Sequence, residues 1–539
     1  MTFETRILPG APATAANRAD MLDLVAHLRS LEARADAASE KRLPRFRERG
    51  QLTPRERLSR LLDPGMPFLR LHTLAGWLVE DPDPETAVPG ASVILGIGYV
   101  AGARCMIWVD DSGIKAGAFS AATLPAILSV QDIALRQKLP LIHLVESAGA
   151  NLMEYKVEMW AQGGGLFRNL ARLSAAGVPV ISVLHGPSTA GGAYMPGLSD
   201  HVIGVKGNGM AALAGAALVR AATGEIATDA ELGGAEMHAA VSGLVEHLAD
   251  DDAHGVAMAR DVMKRLDWNR RAPAARPAKA APPKYDPETL AGVVPVDGSI
   301  PYDARELIAR VVDGSDFTEV KPRYGVSTLC IHASVMGHAV GIIANNGPID
   351  PNGATKAAQF IQNCDQADMP IVFVHNTTGY IVGVASEQAG MIKHGAKMIQ
   401  AVANCRVAKL SLHVGASYGA GNYGMCGWAY QPDFLFAWPN ARTGVMGGAQ
   451  AAGAMTQVAR AGAKRTGREV DEDRLAKQEA AIRTIFDSQS DAFTTSGRVL
   501  DHGVIDPRDT RRVLGMCLSI CAEGRGRTLS PSTYGVARM

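Results

Sequence analysis

Two stretches of this chain repeat one plan at a constant offset, and no other feature restricts its fold as strongly. LPLIHLVESAGA begins at Leu139 and MPIVFVHNTTGY at Met369; each is a short apolar run behind a proline, ending in a turn of small residues. Such a run reads as a buried parallel strand entering a loop. Downstream, VPVISVLHGPSTAGGAYM begins at Val178 and VAKLSLHVGASYGAGNYGM at Val407. Pro140 and Pro370 are 230 residues apart, and Gly191 and Ala420 are 229 apart. Two landmarks sharing an offset imply an internal duplication. Each half then holds strands separated by helix-length segments, the pattern of an α/β unit around a mainly parallel sheet.

The chain of 539 residues has room for about two to four domains. The halves join at RAPAARPAKAAPP, Arg271 to Pro283, which lacks apolar periodicity and reads as an extended spacer. We therefore expect an N-terminal domain over 1–270, a linker over 271–284 and a C-terminal domain over 285–539. Met21 to Arg49 has helical periodicity with mixed charge. LTPRERLSRLLDPG, Leu52 to Gly65, predicts a helix with Thr53 as N-cap, Pro54 at its first position and a Pro-Gly stop.

Charge and cysteine content narrow the partners. Lys plus Arg and Asp plus Glu each number 54, so a net charge of zero selects neither nucleic acid nor an anionic membrane. Seven cysteines (Cys105, Cys330, Cys364, Cys405, Cys426, Cys517 and Cys521) are too few and odd in number for a secreted disulfide scaffold. None has zinc-ribbon spacing, and Cys517 and Cys521 fall on one helix face, so buried reduced thiols and no metal are expected. No apolar run accompanies Glu4 and Arg6, so no signal peptide is visible. Leu173 to Ser199 carries no formal charge, but His185, its prolines and Gly191-Gly192 make it buried core rather than a membrane span. A cytoplasmic location is expected.

The chemistry rests in the two glycine loops. A strand that ends in Ala190-Gly191-Gly192-Ala193 and enters a helix presents unsatisfied backbone N–H groups. Glycine allows close approach and aims successive amides at one point. Such a nest binds a phosphate or the oxygen of a developing enolate. Gly419-Ala420-Gly421-Asn422 offers the same, so two carbonyl-bearing ligands in one reaction are suggested. A P-loop sequence is absent, and no Gly-x-Gly-x-x-Gly follows the first strand; Gly163-Gly164-Gly165 sits in a helical approach. An ATP or NAD enzyme is disfavoured. His185 and His413 stand at similar places before the two loops and read as core residues. Tyr194, Tyr418 and Tyr423 are expected to pack, and Lys115, Lys356, Lys393 and Lys397 to be solvated. The site is expected to be built from backbone.

Six stretches carry a specific resemblance: LTPRERLSRLLDPG, PSTAGGAYMPGLSD, AATGEIATDAELGGAEMH, YGAGNYGMCG, WPNARTGVMGG and VIDPRDTRRVLG. From about Met21 onward the chain resembles the carboxyltransferase (β) subunit of biotin-dependent acyl-CoA carboxylases. GAGNYGMCG and NNGPIDPNGATKAAQFIQNC, Asn345 to Cys364, resemble the methylcrotonyl-CoA and geranyl-CoA branch. The Gly-Pro-Ile-Asp-Pro run and Asn376-Thr377-Thr378-Gly379-Tyr380 favour the geranyl-CoA type. The resemblance implies an α/β fold of two duplicated crotonase-like (ClpP/crotonase) domains in a ring of six β subunits. It places the active site between the N-terminal domain of one subunit and the C-terminal domain of another. It implies biotin as cofactor, carried on a partner α subunit that also houses the biotin carboxylase. Gly191 and Gly192 would hold the thioester oxygen of the acyl-CoA, and Ala420 and Gly421 the ureido oxygen of biotin. Ala148, Gly149, Ala193, Tyr194, Thr378 and Gly379 would contact substrate; Gly419, Asn422 and Tyr423 would contact biotin. Biotin itself would serve as base.

The chain departs from the family pattern at a few places. Ala148, Ala116 and Ala216 stand where glycine, glycine and proline are usual; Trp428 and Phe493 replace arginine and tyrosine. These substitutions lie near ligand-contacting segments and leave three alternatives open. One is a propionyl-CoA or acetyl-CoA type carboxyltransferase. Another is a biotin-dependent acyl-CoA decarboxylase subunit coupled to a membrane sodium pump. The third, of a different class, is a non-catalytic assembly subunit that binds CoA or the carrier. Both glycine loops are intact, which favours the active enzyme.

Overall fold

Local sequence sets several element boundaries directly. Thr53 caps the helix Pro54–Leu61: its hydroxyl accepts from Glu56 N at 3.2 Å, and Glu56 Oε2 accepts from Thr53 N at 2.8 Å. The periodic segment before it forms two helices, Pro12–Glu40 and Leu43–Glu48. The computed structural model describes residues 3–8, 10–150, 156–271, 279–466 and 469–536. Residues 272–278 of the expected linker lie outside the described residues.

The described chain forms two compact units, one of Arg29–Ala275, Gly497–Val499 and Ile520–Met539, the other of Met1–Leu28, Arg276–Ser496 and Leu500–Ser519. The first holds β1 (Leu69–Leu71), β2 (Val93–Val100), β3 (Ala103–Asp110), β4 (Leu141–Ser147), β5 (Val180–Thr189), β6 (His201–Val205), β7 (Met210–Ala212) and β8 (His247–Ala249). Their order is β1-β2-β3-β4-β5-β6-β8, with β7 beside β5. The second holds β9 (Phe317–Glu319), β10 (Thr328–Val335), β11 (His338–Asn345), β12 (Ile371–Thr377), β13 (Lys409–Tyr418), β14 (Phe434–Ala437) and β15 (Arg442–Gly444). Its order is β14-β13-β12-β11-β10-β9, with β15 beside β13.

The duplication extends to hydrogen-bond register. In each sheet an antiparallel hairpin (β2–β3, β10–β11) leads into parallel strands (β3–β4–β5–β6, β11–β12–β13–β14). The β4–β5 ladder shifts register between Val145 and Ser147, and β12–β13 shifts between His375 and Thr377. The two irregularities are 230 residues apart, and each precedes a small-residue turn. All seven β4 residues are buried, as a strand covered on both faces requires. Apolar clusters, around Ile142 and Ile181 in one unit and Phe360 and Phe373 in the other, form the cores.

Leu173 to Ser199 becomes a helix end, β5 and the first glycine loop; among the described residues no helix is long and apolar enough to cross a membrane. Gly163–Gly165 lie in the helix Val157–Ala176, as expected. All seven cysteines are unpaired.

Candidate active site

β5 ends in the turn Ala190–Ala193, which leads into the short helix Tyr194–Gly197; β13 ends in the helix Gly419–Gly424. The first residue of each loop is left-handed, Ala190 at φ 54° and Gly419 at φ 57°. One loop reaches this conformation with glycine and the other with alanine, so the surrounding fold imposes it. The following amides, of Gly191, Gly192, Ala420 and Gly421, lie in a first helical turn and have no intrahelical acceptor. A left-handed residue followed by right-handed ones converges successive N–H groups into an anion-binding concavity.

The adjoining strand ends are duplicated too. Gly149 N donates to Ser147 Oγ at 3.1 Å, and Gly379 N donates to Thr377 Oγ1 at 3.2 Å. Both glycines have positive φ, 80° and 118°. A Cβ on Gly149 would stand 3.2 Å from the carbonyl oxygen of Thr189, and one on Gly379 3.3 Å from that of Tyr418. A Cβ on Gly421 would meet Gly379 Cα at 2.7 Å. The structure thus brings Ala148 and Gly149 against the Ala190–Tyr194 segment, and Thr378 and Gly379 against the Gly419–Tyr423 segment. Ala148 N donates to Ala116 O at 3.1 Å, so the amides of Ala148 and Gly149 are both occupied and the glycine loop supplies the free donors.

Beneath the first turn lies a buried charge cluster that sequence reasoning did not reveal. Arg57, fully buried, pairs with Glu146 and Asp252 at 2.5 and 2.8 Å. Asp252 also accepts from Leu52 N and bonds His185 Nδ1, both at 2.8 Å. Gln51 donates to His185 O at 2.8 Å. Burial and the Arg57 charge push His185 below its ordinary value despite Asp252, so it is neutral. Its role is to satisfy Asp252, the core reading expected of it. Gly186 exists because Glu146 fills the space: a Cβ there would be 2.4 Å from Glu146 Cγ. Gly415 has the same relation to Asn376 Oδ1, again 2.4 Å.

His413 is not the counterpart of His185, contrary to expectation. His375 pairs with His413 in register, whereas the matching partner of Val145 is Leu184. A one-residue offset turns a strand side chain to the other face. His413 therefore stacks on His375, with ring centroids 4.4 Å apart, and burial pushes it down to about 4. His375 Nδ1 bonds Ser417 Oγ at 2.8 Å, and Asn422 Nδ2 donates to the same oxygen at 2.8 Å. This strut ties the second loop to β12. The first loop has Ala193 and Val145 at the matching places, and Ser188 Oγ, matching Ser417, is buried without a partner.

Other expectations change as well. Lys356 is buried rather than solvated, because it faces the core side of the helix Pro351–Gln366, with Nζ 3.3 Å from Lys321 O. Lys115 pairs with Glu80 at 2.6 Å, while Lys393 and Lys397 are exposed. Tyr418 packs, but Tyr194 and Tyr423 are 52% and 46% exposed, leaving both rings at the loop surface. Ala116 has φ 55°, where the usual glycine would be relaxed, and Ala216 N donates to Asp229 at 2.8 Å, a bond proline could not make. Trp428 and Phe493 lie 5.1 and 4.9 Å from the rings of His502 and His27. Among the described residues no group of three or more His, Cys, Asp or Glu could hold a metal ion.

Comparison with known proteins bears on this architecture. The carboxyl transferase domain model matches residues 45–532. A probable biotin-dependent acyl-coenzyme A carboxylase beta2 subunit of Mycobacterium tuberculosis is 49% identical over 93% of this chain and 92% of its own. The biotin-dependent 3-methylcrotonyl-coenzyme A carboxylase beta1 subunit of the same organism is 42% identical over 96% and 97%. The crystal structure of the P. aeruginosa geranyl-CoA carboxylase beta subunit superposes with a TM-score of 0.93 at 48% identity, covering 100% of both chains. With its duplicated crotonase-like fold and a match over nearly its whole length, this chain belongs to the carboxyl transferase domain family, among the β subunits of biotin-dependent acyl-CoA carboxylases.

Proposed function

We propose that this chain moves CO2 from carboxybiotin to a branched, α,β-unsaturated acyl-CoA, geranyl-CoA first and 3-methylcrotonyl-CoA second. The supporting observation is the pair of matching nests, each with amides lacking an intrahelical acceptor. Gly191 and Gly192 hold the thioester oxygen, with Ala148, Gly149, Ala193 and Tyr194 on the acyl side. Ala420 and Gly421 hold the ureido oxygen, with Gly419, Asn422 and Tyr423 on the biotin side and Thr378 and Gly379 completing the substrate contacts. An N–H aimed at an oxygen that gains charge stabilises it most as the charge develops. The amide donors thus fit a carbonyl-bearing ligand, and carboxybiotin, when bound, supplies both CO2 and the base. This division of labour agrees with the neutral, fully engaged His185.

The relatives described as 3-methylcrotonyl-CoA and geranyl-CoA carboxylase β subunits support the substrate order. Residues 1–270 form the acyl-CoA side, 271–284 the linker and 285–539 the biotin side. Biotin resides on a partner α subunit, and six β subunits form a ring. Seven unpaired thiols support a reducing, cytoplasmic location.

The test supplies purified chain with a carboxylated biotin carrier and a panel of acyl-CoAs. Geranyl-CoA and 3-methylcrotonyl-CoA should be consumed. Turnover of propionyl-CoA alone would overturn the substrate assignment, and turnover of none would overturn the function. Without a partner, ATP and bicarbonate should yield no product, and labelled streptavidin should not stain this chain. The sequence nearest a biotin acceptor, Gly395-Ala396-Lys397-Met398, lies inside the helix Met391–Asn404.

A further inference from the structure

Three arginines in this chain have no anion to meet. Arg42 precedes the helix Leu43–Glu48 with near-helical backbone, so Arg42, Arg45 and Arg49, three and four residues apart, share one side. Phe46, between them, is buried and anchors the turn. Their neighbours are satisfied: Arg47 pairs with Glu56, Arg55 with Asp36 and Asp111, and Arg57 with Glu146 and Asp252. None of the three has a side-chain partner among the described residues. They line a cavity of about 150 Å³ together with Ser112, Ala148 and Glu146. Glu146 does not cancel them, because Arg57 already neutralises it. Ser112 Oγ is buried and has no partner.

Unpaired cations converging on a concave site create a field for an anion, and guanidinium forks match phosphate oxygens. The cavity is below the ~300–1,000 Å³ of a whole small-molecule site, so it accommodates one end of a larger ligand. Its opposite wall is Ala148, in the turn packed against the first glycine loop. We infer that Arg42, Arg45 and Arg49 form the phosphate-binding subsite for the CoA moiety of the acyl thioester, with Ser112 contributing a hydroxyl. This assignment rests on the acyl-CoA reading above and adds the residues that recognise the nucleotide end.

The experiment measures binding calorimetrically, without turnover, so it is independent of the carboxylation assay. Free CoA, 3′-dephospho-CoA, inorganic pyrophosphate and a pantetheine thioester of the acyl group are titrated into the intact oligomer. The protein is wild type or carries Arg42→Gln, Arg45→Gln and Arg49→Gln together. All three positions are exposed, so unchanged thermal unfolding is the folding control. Affinity for CoA should fall about 100-fold in the triple variant and about 10-fold in Arg45→Gln alone, with the pantetheine thioester unaffected. A selective loss of the gain from the 3′-phosphate or the diphosphate supports the subsite and tells which group it holds. Wild-type CoA affinity in the triple variant would overturn it. So would pyrophosphate binding that depends on the arginines while CoA binding does not, or an equal loss for the pantetheine thioester. If the subsite stands but no acyl-CoA is carboxylated, the proposed function fails separately.

Discussion

Replacing Arg57 by methionine tests how the first turn is held. The guanidinium is fully buried, and its two partners, Glu146 and Asp252, are 4% and 2% exposed. Methionine keeps much of the apolar stem but leaves two carboxylates in the interior without a cation. Breaking such a pair from one side costs about 3–5 kcal/mol, because the remaining charges stay desolvated. With a urea m-value of about 3 kcal/mol/M, the transition of this unit should move down by at least about 1 M. Circular dichroism during urea titration reads the shift. The pH dependence checks the cause. Burial would raise Asp252, but His185, Arg57 and the Leu52 amide outweigh it and hold the carboxyl below its ordinary value. Its contribution in the wild type is therefore present above the unfolded value near 4 and lost as pH falls through the folded value. Without Arg57 that support weakens, so acidification should bring variant and wild type closer together. Adding Glu146→Gln and Asp252→Asn to the variant should recover most of the loss. A single variant within about 1 kcal/mol of wild type at pH 7 would refute the reasoning.

Four further outcomes are expected. Ala190→Gly should stabilise the chain by about 1 kcal/mol by relieving a left-handed alanine, whereas Gly419→Ala should cost at least as much, since its Cβ would stand 3.2 Å from Val445 O; thermal unfolding of both checks this. Gly192→Pro and Gly421→Pro, each deleting one amide donor, should lower turnover on the order of 100-fold in the carrier assay while the protein remains folded. Burial raises Asp501 to about 7, so the folded state favours its protonated form and stability falls as pH climbs from about 4 to 7; unfolding midpoints of Asp501→Asn should be flat over that window. Asn422→Ala, which frees Ser417, should slow decarboxylation of the carboxylated carrier up to about 10-fold and leave acyl-CoA affinity unchanged.

Much of the candidate site was legible because its parts are local. A strand–glycine–helix junction is encoded within a dozen residues, and its recurrence 229–230 residues later marked both loops before any coordinates. The Thr53-Pro54-x-Glu56 cap is likewise a short-range device, and it appears as read. The capped helix also carries Arg57, but nothing in the sequence said that this arginine, among the charged residues of LTPRERLSRLL, turns inward.

Only tertiary structure decided the long-range pairings. Arg57 meets Asp252 across 195 residues because the helix Pro54–Leu61 packs near the helix Asp252–Leu266, which no local pattern states. Strand parity placed His185 and His413 on opposite faces: side chains alternate with period two, so a one-residue offset changes every contact. Lys356 was misjudged because lysine is ordinarily solvated, and only the packing of its helix encloses the stem. Sequence thus determined which backbone shapes repeat, since dihedral preferences and apolar period act between neighbours. The fold determined which side chains support those shapes, since desolvation and pairing depend on what the rest of the chain brings near.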